Sequence, residues 1–409
     1  MRKIATAIFI LATISGCRPS TATQSNAAYS VEVENPLDET RRNVLVGISD
    51  KGPEVAGGLF TVRSNEQQLS VQYFDETIVL VLDSMRAREK RTITVYYDLS
   101  PAPEGGRYYR KRTQAELSHR FGGEWKDRVY KGGEFRNVDH LRVPPEHKDH
   151  SYFIRYEGPG WESERVGYRM YLDQRNAIDV FGKKTSDLIL MGVGQDGFDS
   201  YHNMQQWGMD IMKVGKSLGL GSIGIWADTA AVRVENTDSV ACFVCDGNLY
   251  SSLIVNYWGW KTPKDTIDLK SDLSIYAGTR WTNHNLYASE NLDNLCTGIV
   301  KDKEGRLFKS AGGKSSWGYM ATFGKQSLNN DNLGLAILFN PDSFVAFRED
   351  ANSHVVQLKT ELKHVGYYFG AAWELEPGGI TSETEFVEWV ERSARELANP
   401  VTVNFKTNL

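Results

Sequence analysis

Aromatic rings, guanidinium groups and carboxylates are concentrated in one part of the chain, between Glu157 and Trp226. A hydrophobic core does not need so many charged groups beside so many rings, because buried charges are costly unless they are paired. Rings stack on the apolar faces of sugars, and arginine holds carboxylates through two parallel hydrogen bonds. The composition of this segment therefore predicts a site for a charged sugar.

The first candidates for acid–base catalysis are the adjacent residues Tyr201 and His202. Histidine titrates near neutral pH, and a tyrosine can donate a proton or, if its pKa is lowered, accept one. The alternative for His202 is a structural histidine that caps a helix or is hydrogen-bonded in the core. His284, in Arg280-Trp-Thr-Asn-His-Asn285, is the second candidate, and its alternative is a strand end with a packed tryptophan.

Charged groups and rings that could hold a charged sugar form a second set of predictions. The predicted substrate-binding residues are Arg280, Arg169, Trp161, Glu162, Trp207 and Trp281. Trp161 follows Gly158-Pro-Gly160, which is typical of a tight turn that displays a ring. The alternative for Trp161 is a plug at the edge of a sandwich. Glu162 could bind hydroxyl groups, orient a base or ligate a metal.

Tyr168 is a further catalytic candidate, and its face depends on the strand that carries it. If a strand begins at Gly167, Tyr168 and Met170 share one face, and Arg169 and Tyr171 share the other. Only one of these two pairs can face a cleft.

No cofactor is predicted, although a divalent metal remains possible. His202 with Asp210, or Glu162 with Glu164, carries suitable ligand atoms. No H-E-x-x-H motif, EF-hand loop or pair of C-x-x-C motifs is present in the sequence. The three histidines between His140 and His150 favour a polar loop over a zinc site, because no fourth ligand lies nearby. Cys242 and Cys245 sit in an apolar run that favours buried structural thiols.

The N-terminus predicts export. A basic start, an apolar run and Ile14-Ser-Gly-Cys17 resemble a bacterial lipoprotein signal, which implies cleavage before Cys17 and lipid on its sulfur. The alternative is an ordinary cleaved signal with a chance cysteine. We therefore predict a signal peptide over residues 1–17, a tether over 18–27, and a lipid-anchored protein of the bacterial periplasm or outer membrane. The net charge of -5 and the lack of a basic block argue against nucleic-acid binding.

Short apolar runs separated by Gly, Asn and Asp predict a mainly β protein. Residues 28–99 are predicted to form a small immunoglobulin-like β domain, and 100–106 a Pro- and Gly-rich linker. Residues 107–409 are predicted to form a large antiparallel β-sandwich of the galactose-mutarotase-like type, with few helices. Helical spacing predicts one helix over residues 204–218, and the capping box Ser382-Glu-Thr-Glu385 predicts another at the C-terminus.

Long phrases of the sequence resemble a family of bacterial secreted proteins known as domain of unknown function 4861. The phrases are Tyr156-Glu-Gly-Pro-Gly-Trp-Glu-Ser-Glu164, Gly167-Tyr-Arg169, Leu172-Asp-Gln-Arg-Asn-Ala177, Phe181-Gly-Lys-Lys184, Trp207-Gly-Met-Asp210, Lys213-Val-Gly215, Asn294-Leu-Cys-Thr-Gly298 and Phe323-Gly-Lys-Gln-Ser-Leu328. The resemblance covers nearly the whole mature chain. It implies a role in polysaccharide utilisation, of the type of an ulvan oligosaccharide dehydratase that makes a 4,5-unsaturated uronate.

Such an elimination needs a cation or donor for the substrate carboxylate, a base for the hydrogen at C5 and an acid for the leaving oxygen. A polysaccharide lyase could use the same residues, and sequence does not separate the two. Two other functions stay open. A glycoside hydrolase needs two carboxylates, for which the segment has several candidates. A sugar-binding lipoprotein would use Trp161, Trp207 and Trp281 without chemistry.

Overall fold

The computed structural model describes residues 26–49, 60–65, 67–97, 110–197 and 200–406. The predicted signal peptide with Cys17, the first part of the predicted tether and the predicted linker at 100–106 lie outside these residues. Within the described part of the chain, no helix is long and apolar enough to cross a membrane. The predicted mainly β, antiparallel fold is confirmed.

The N-terminal strands form a small two-sheet sandwich. Their bounds are β1 Asn26–Glu34, β2 Arg41–Ser49, β3 Phe60–Ser64, β4 Gln67–Gln68, β5 Val71–Phe74, β6 Thr77–Met85 and β7 Lys90–Tyr97. One sheet contains β1, β7, β3 and β4, and the other contains β2, β6 and β5. Alternate residues such as Val31, Val46 and Leu80 are fully buried between the two sheets, as strands with one buried face require.

The next group of strands carries most of the predicted site. Their bounds are β8 Thr113–Glu116, β9 Ser118–Lys126, β10 Val129–Asn137, β11 His140–Arg142, β12 Gly160–Ser163, β13 Val166–Met170, β14 Ile178–Lys183 and β15 Gly208–Asp210. A five-stranded sheet has the order β15-β14-β13-β12-β8, and β9 with β10 forms a separate hairpin.

The remaining strands complete the large sandwich. Their bounds are β16 Gly224–Ala227, β17 Ala230–Arg233, β18 Ser239–Cys245, β19 Tyr250–Lys261, β20 Thr266–Tyr276, β21 Trp281–Ala288, β22 Leu295–Val300, β23 Arg306–Ser310, β24 Gly318–Gly324, β25 Leu333–Phe339, β26 Phe344–Glu349, β27 Ser353–Leu358, β28 His364–Trp373 and β29 Thr402–Phe405. A nine-stranded sheet has the order β11-β18-β19-β20-β21-β28-β25-β24-β23, and a second five-stranded sheet has the order β17-β16-β22-β27-β26. The last strand, β29, pairs with β1 and so extends the N-terminal sheet.

The two five-stranded sheets cover one face of the nine-stranded sheet. Trp161 on β12 donates from Nε1 to Thr282 Oγ1 on β21 at 2.8 Å. On the other side, Phe339 of β25 stacks on Phe344 of β26 with ring centroids 5.1 Å apart. The main hydrophobic core lies between these layers. The opposite, outer face of the nine-stranded sheet meets the N-terminal sandwich through Gln72, whose Nε2 donates to the Tyr250 carbonyl at 2.8 Å.

The helix α1, Glu383–Ala398, confirms the C-terminal helix that the capping box predicts. Ser382 Oγ accepts from the Glu385 backbone N–H at 3.3 Å, and the Glu385 carboxylate accepts from the Thr381 N–H. Phe386 and Val390 are buried against the outer face of the nine-stranded sheet. The helix therefore packs on the sandwich, as its apolar stripe requires.

The helix predicted over residues 204–218 is wrong. This stretch contains β15 and irregular chain instead. Gly208 and Gly215 have positive φ values, of 133° and 56°, which an α-helix cannot contain. The buried residues Ile211, Val214 and Leu218 come at helical spacing because an irregular chain passes along the core. The alternation of residues from His150 to Tyr156 also predicts a strand, and this prediction is wrong, because both residues have positive φ and the segment ends in a 3-10 turn.

Candidate functional site

Arg169 lies at the centre of a buried polar cluster on the outer side of β13. It is 2 % exposed. Its Nη2 donates to Asp179 Oδ2 and to Asp210 Oδ2, each at 2.7 Å. The strand alternation predicts this placement, because Tyr168 and Met170 point into the core from the opposite face. Asp179 on β14 and Asp210 on β15 come from the two following strands of the same sheet.

Two tyrosines complete the environment of the guanidinium. Arg169 Nη1 donates to Tyr201 Oη at 2.9 Å, and Tyr171 Oη donates to Asp179 Oδ2 at 2.6 Å. Burial raises the pKa values of both phenols, so both keep their protons at neutral pH. Tyr201 is 1 % exposed. Its predicted catalytic contact with a substrate is therefore not available in this conformation, and its hydroxyl instead holds Arg169.

His202 is the exposed member of this cluster. Its side chain is 46 % exposed, and its Nδ1 lies 3.2 Å from Asp210 Oδ2, which is buried. The ring also packs on that of Tyr201, with centroids 4.6 Å apart. A buried carboxylate that holds one ring nitrogen leaves the other, Nε2, as the reactive atom, which is the arrangement of a positioned general base. Tyr201 and His202 lie on a 3-10 turn, Ser200–His202, and not beside the start of a helix.

A second guanidinium, that of Arg175, lies at the rim of the cluster. Its Nη2 is 2.8 Å from Glu157 Oε1, and its Nη1 is 2.9 Å from Asp149 Oδ1. It also pairs with Asp173 and lies over the ring of Tyr171, at 3.9 Å from the centroid. Its side chain is 19 % exposed. Arg175 is thus the cation of the cluster that solvent can reach.

Asp149, His150 and Glu157 carry ligand atoms that all lie within 4.8 Å of one another. Such a set could hold a divalent ion. However, the guanidinium of Arg175 already bridges the two carboxylates, so an ion would compete with it for the same oxygens. The geometry fits an ion-pair network better than a metal centre.

The backbone around the rim is strained. Positive φ values occur at the non-glycine residues His150, Tyr152, Tyr156, Glu157 and Asn176, from 37° to 72°. Such conformations cost of order 1–3 kcal/mol each and cluster at functional sites. The backbone of Gly158 lies close to that of Met170, because a Cβ at Gly158 would be 1.7 Å from the Met170 carbonyl oxygen. The Glu157-Gly-Pro-Gly160 segment therefore fixes the position of Glu157 beside Arg175.

Several predicted site residues lie elsewhere, inside the core. Trp161 is 1 % exposed and stacks on Tyr168, with ring centroids 5.7 Å apart. Tyr168 is fully buried, and its Oη donates to the Arg280 carbonyl at 2.6 Å. Neither residue presents a face to solvent, so the stacking role predicted for Trp161 and the catalytic role predicted for Tyr168 do not fit this structure. Trp161 is a structural residue, as the alternative proposed, but it lies between the sheets and not at the edge of the sandwich.

Glu162 also has a structural contact in place of a ligand. Its Oε2 lies 2.6 Å from Lys183 Nζ, and neither side chain is exposed. Its Oε1 accepts from the backbone N–H groups of Ile189 and Leu190 at 2.7 and 2.8 Å. Both of its carboxylate oxygens therefore have partners inside the protein. The pair anchors the segment that leads to Tyr201 and His202.

The Arg280 cluster lies on the other face of the sandwich. Arg280 pairs with the buried Glu376, and its guanidinium carbon lies 5.6 Å from the Trp389 ring centroid. Trp281 is 8 % exposed and stacks on Trp389 at 4.3 Å. Neither joins the Arg169 cluster. Trp207 comes closer, since it is half-buried and packs edge-on against Phe181, 6.0 Å away, which in turn packs against Tyr201.

His284 is fully buried in the core, where its Nε2 lies 2.7 Å from Ser271 Oγ. Burial lowers its pKa to about 3. A ring that stays neutral and has no access to solvent cannot contact a soluble substrate, so the catalytic role predicted for His284 does not fit this structure.

Replacing His284 is expected to change stability and its pH dependence. With an ordinary pKa of about 6.5 when unfolded, the neutral buried ring contributes stability that is complete above about pH 6.5 and lost as pH falls toward 3. We expect His284→Ala to lower the free energy of unfolding by about 2–4 kcal/mol near neutral pH. On acidification, the free energy of unfolding of the variant should fall by less than that of the wild type. Denaturant titrations across this range measure both effects, with the exposed His140→Ala as control. If acidification lowered the free energy of unfolding equally in the wild type and in the variant, His284 would not be a neutral buried ring.

Asp179 should give the opposite pH dependence. Burial and the neighbouring Asp210 carboxylate raise its pKa to about 6, although Arg169 lowers it in part. The folded protein therefore binds a proton there that the unfolded chain, with a pKa of about 3.9, releases. Stability from this group is present below about pH 4 and lost as pH rises through 6.

We expect wild type to gain stability relative to Asp179→Asn by roughly 1–3 kcal/mol as pH falls from about 7 to about 4. Thermal unfolding of the two proteins over that range checks the sign. A difference that stays constant with pH would show that Asp179 is ionised throughout.

The sequence indicates four members of this cluster: Arg169, Tyr201, His202 and Tyr171, which alternation places on the same face as Arg169. It missed Asp179 and Arg175 as members, and Asp210 was considered only as a metal ligand. The pairing of the strands, which the sequence does not show, brings the two carboxylates to this place. Asp179 lies directly opposite Arg169 in the β13–β14 register, and Asp210 opposite Phe181 in the β14–β15 register.

Comparisons with known proteins add the following. The family described as Domain of unknown function (DUF4861) matches residues 33–403. No curated protein matches the chain. Among solved structures, a protein in glycosyl hydrolase family 38 from Enterococcus faecalis is similar at a TM-score of 0.47 and 8% identity, covering 93% of this chain and 47% of that one. An alpha-mannosidase from Enterococcus faecalis V583 gives a TM-score of 0.45, 8% identity, and coverage of 93% and 46%. The chain thus spans about half the length of these two structures.

Proposed function

Because the chain belongs to the DUF4861 family, we propose that it is a carbohydrate-active enzyme that removes water from the terminal uronic acid of an oligosaccharide. The product is a 4,5-unsaturated uronate. The proposal rests on the family resemblance of its sequence phrases and on one observation, the pairing of the exposed His202 with the buried Asp210. The ulvan-like class of substrate comes from the resemblance alone.

The reaction is a β-elimination in which His202 can act first as the base and then as the acid. Among the predicted catalytic residues, His202 is exposed, whereas Tyr201, Tyr168 and His284 are buried. Its Nε2 would take the hydrogen at C5, and the electron pair of that bond would form the C4–C5 double bond. The C4–O bond then breaks, and the same proton leaves with the oxygen as water. One group can do both jobs only when the hydrogen and the oxygen lie on the same side of the ring.

This condition selects between the two uronic acids. In a D-glucuronic acid the C5 hydrogen and the C4 oxygen lie on the same side, and in an L-iduronic acid they lie on opposite sides. We therefore propose a terminal glucuronic acid as the substrate unit. Arg175, the partly exposed guanidinium of the rim, would bind its carboxylate in exchange for one of its present partners, Asp149 or Glu157, and would stabilise the negative charge that develops as the hydrogen leaves. Asp210 would hold the His202 ring in position through Nδ1.

Incubation with oligosaccharides that end in glucuronic or iduronic acid tests this function. Ultraviolet absorbance detects the conjugated double bond, and mass spectrometry detects the water lost. We expect absorbance with one water lost at unchanged chain length, and a preference for the glucuronic acid. Absorbance with shorter products would favour a lyase, and shorter products without absorbance would favour a hydrolase. No product from any of them would overturn the proposal in favour of a binding protein.

We also propose export and anchoring through a lipid on Cys17, which would place the enzyme at the bacterial periplasm or outer membrane. Metabolic labelling with a fatty acid analogue, compared between wild type and Cys17→Ser, tests this. Label on the wild type alone is expected, and label on both proteins or on neither would contradict it.

A further inference from the structure

A cavity of about 310 Å³ lies on the face of the sandwich opposite to His202. It opens to solvent and is lined by residues of β2 of the N-terminal sandwich, of the outer face of the nine-stranded sheet and of helix α1. Pockets of about 300–1,000 Å³ with apolar walls and a few polar groups, placed where domains meet, are typical of small-molecule sites. The lining residues used below are Tyr276, Trp281, Trp317, Tyr368, Arg41 and Glu396.

The aromatic walls of the cavity are held in place by their neighbours. Trp281 stacks on Trp389 behind it, with ring centroids 4.3 Å apart and planes 13° apart, and its Nε1 donates to Ser393 Oγ at 3.1 Å. Trp317 packs edge-on against Tyr368 at 5.8 Å. Rigid rings lose little entropy on binding, so they offer preformed apolar surface to the C–H face of a ligand ring.

The cavity has two charged groups, the acceptor Glu396 and the donor Arg41. Within the described residues, no donor makes a hydrogen bond to the Glu396 carboxylate and no cation lies within 4 Å of it. Burial raises the pKa of this carboxyl, and the charge of Arg41 lowers it in part. Arg41 is itself held by Asn35 Oδ1, at 3.0 Å from its Nε, and by the Asn399 carbonyl. The carboxylate is therefore free to accept hydrogen bonds from a ligand.

We propose that this cavity is a second carbohydrate site that binds a neutral pyranose. Hydroxyl groups of the sugar donate to Glu396, and its apolar face lies on the rings of Trp317 and Tyr276. One acidic group, Glu396, and one basic group, Arg41, line the same cavity, so neither an anionic nor a cationic sugar gains from a net charge there. The site would hold a neutral unit of a glycan while the terminal uronic acid is processed elsewhere, and its sugar-binding chemistry does not depend on His202.

Ligand-observed saturation-transfer NMR with the full protein tests this site. The probes are methyl β-D-glucopyranoside, methyl β-D-galactopyranoside, methyl β-D-xylopyranoside and, as the charged counterpart, sodium D-glucuronate. We expect saturation transfer to at least one neutral glycoside, in wild type and equally in His202→Ala. Tryptophan fluorescence should follow the same titration, since two tryptophans line the cavity.

Trp317→Ala and Glu396→Gln are each expected to weaken binding by about tenfold or more, which corresponds to about 1.4 kcal/mol. Trp258→Ala, which removes a tryptophan that is 39% exposed and does not line the cavity, is the matched control and should bind as wild type does. Unchanged thermal midpoints would show that the variants fold. The proposal is overturned if no neutral glycoside shows transfer, if both cavity variants bind as tightly as the control, or if His202→Ala abolishes binding.

Discussion

His202→Ala is expected to lower the rate of elimination by roughly 10²–10⁴-fold while the protein stays folded. The substitution removes the exposed ring nitrogen that acts as base, together with the packing of the ring on Tyr201 and its contact with Asp210. Because the side chain is 46 % exposed, we expect the free energy of unfolding to fall by only about 1 kcal/mol. Initial rates of ultraviolet absorbance, measured beside a thermal melt of the same preparation, give both numbers.

His140→Ala is the matched control for this variant. His140 is also exposed, but it lies on β11 and stacks on Phe243, away from the Arg169 cluster. The control should keep wild-type activity. Full activity in His202→Ala would remove His202 from the mechanism, even if the reaction class survived.

Arg169→Leu is expected to destabilise the fold by about 3–5 kcal/mol, the usual cost of removing one partner from a buried ion pair. It leaves the carboxylates of Asp179 and Asp210 without the guanidinium that both now share. Arg169→Lys should cost less, because it keeps the charge but cannot reach both carboxylates and Tyr201 at once. Denaturant unfolding of the wild type, Arg169→Lys and Arg169→Leu measures their stabilities, which should decrease in that order.

A double-mutant cycle separates the charge from the packing. If unpaired carboxylate charge causes the loss, Arg169→Leu combined with Asp179→Asn should be less destabilised than the sum of the two single variants, by roughly 1–3 kcal/mol. Strict additivity would show that Arg169 contributes through packing alone. Activity is expected to fall in every variant of Arg169, since Asp210 and Tyr201 both depend on it to position His202.

The alternation of side chains along a strand predicted part of the site. Once Gly167 was assigned to a strand, Arg169 and Tyr168 had to point to opposite faces, and they do. Alternation alone could not say which face was covered. That depends on the nine-stranded sheet, whose strands are distant in sequence, and it placed Trp161 and Tyr168 in the core.

Helical spacing failed between residues 204 and 218 for a related reason. A period of three to four apolar residues arises whenever an irregular chain follows the core, and the glycines with positive φ show that the backbone there cannot be helical. At the C-terminus the same spacing was correct, because a capping box and a uniform apolar stripe agreed with it. The catalytic role predicted for His284 rested on its residue type alone. A histidine inside a strand can equally be a neutral core residue hydrogen-bonded to a serine.

The fate of the hydrogen at C5 tests the central claim most directly. An oligosaccharide with a terminal glucuronic acid deuterated at C5 is incubated with the wild type and with His202→Ala. A 4,5-unsaturated product has no hydrogen at C5 and so contains no deuterium. Elimination at His202 predicts that this product forms more slowly than from the unlabelled sugar, and that His202→Ala gives little of it. A product that retains the deuterium at C5, or shorter products without the double bond, would contradict the account.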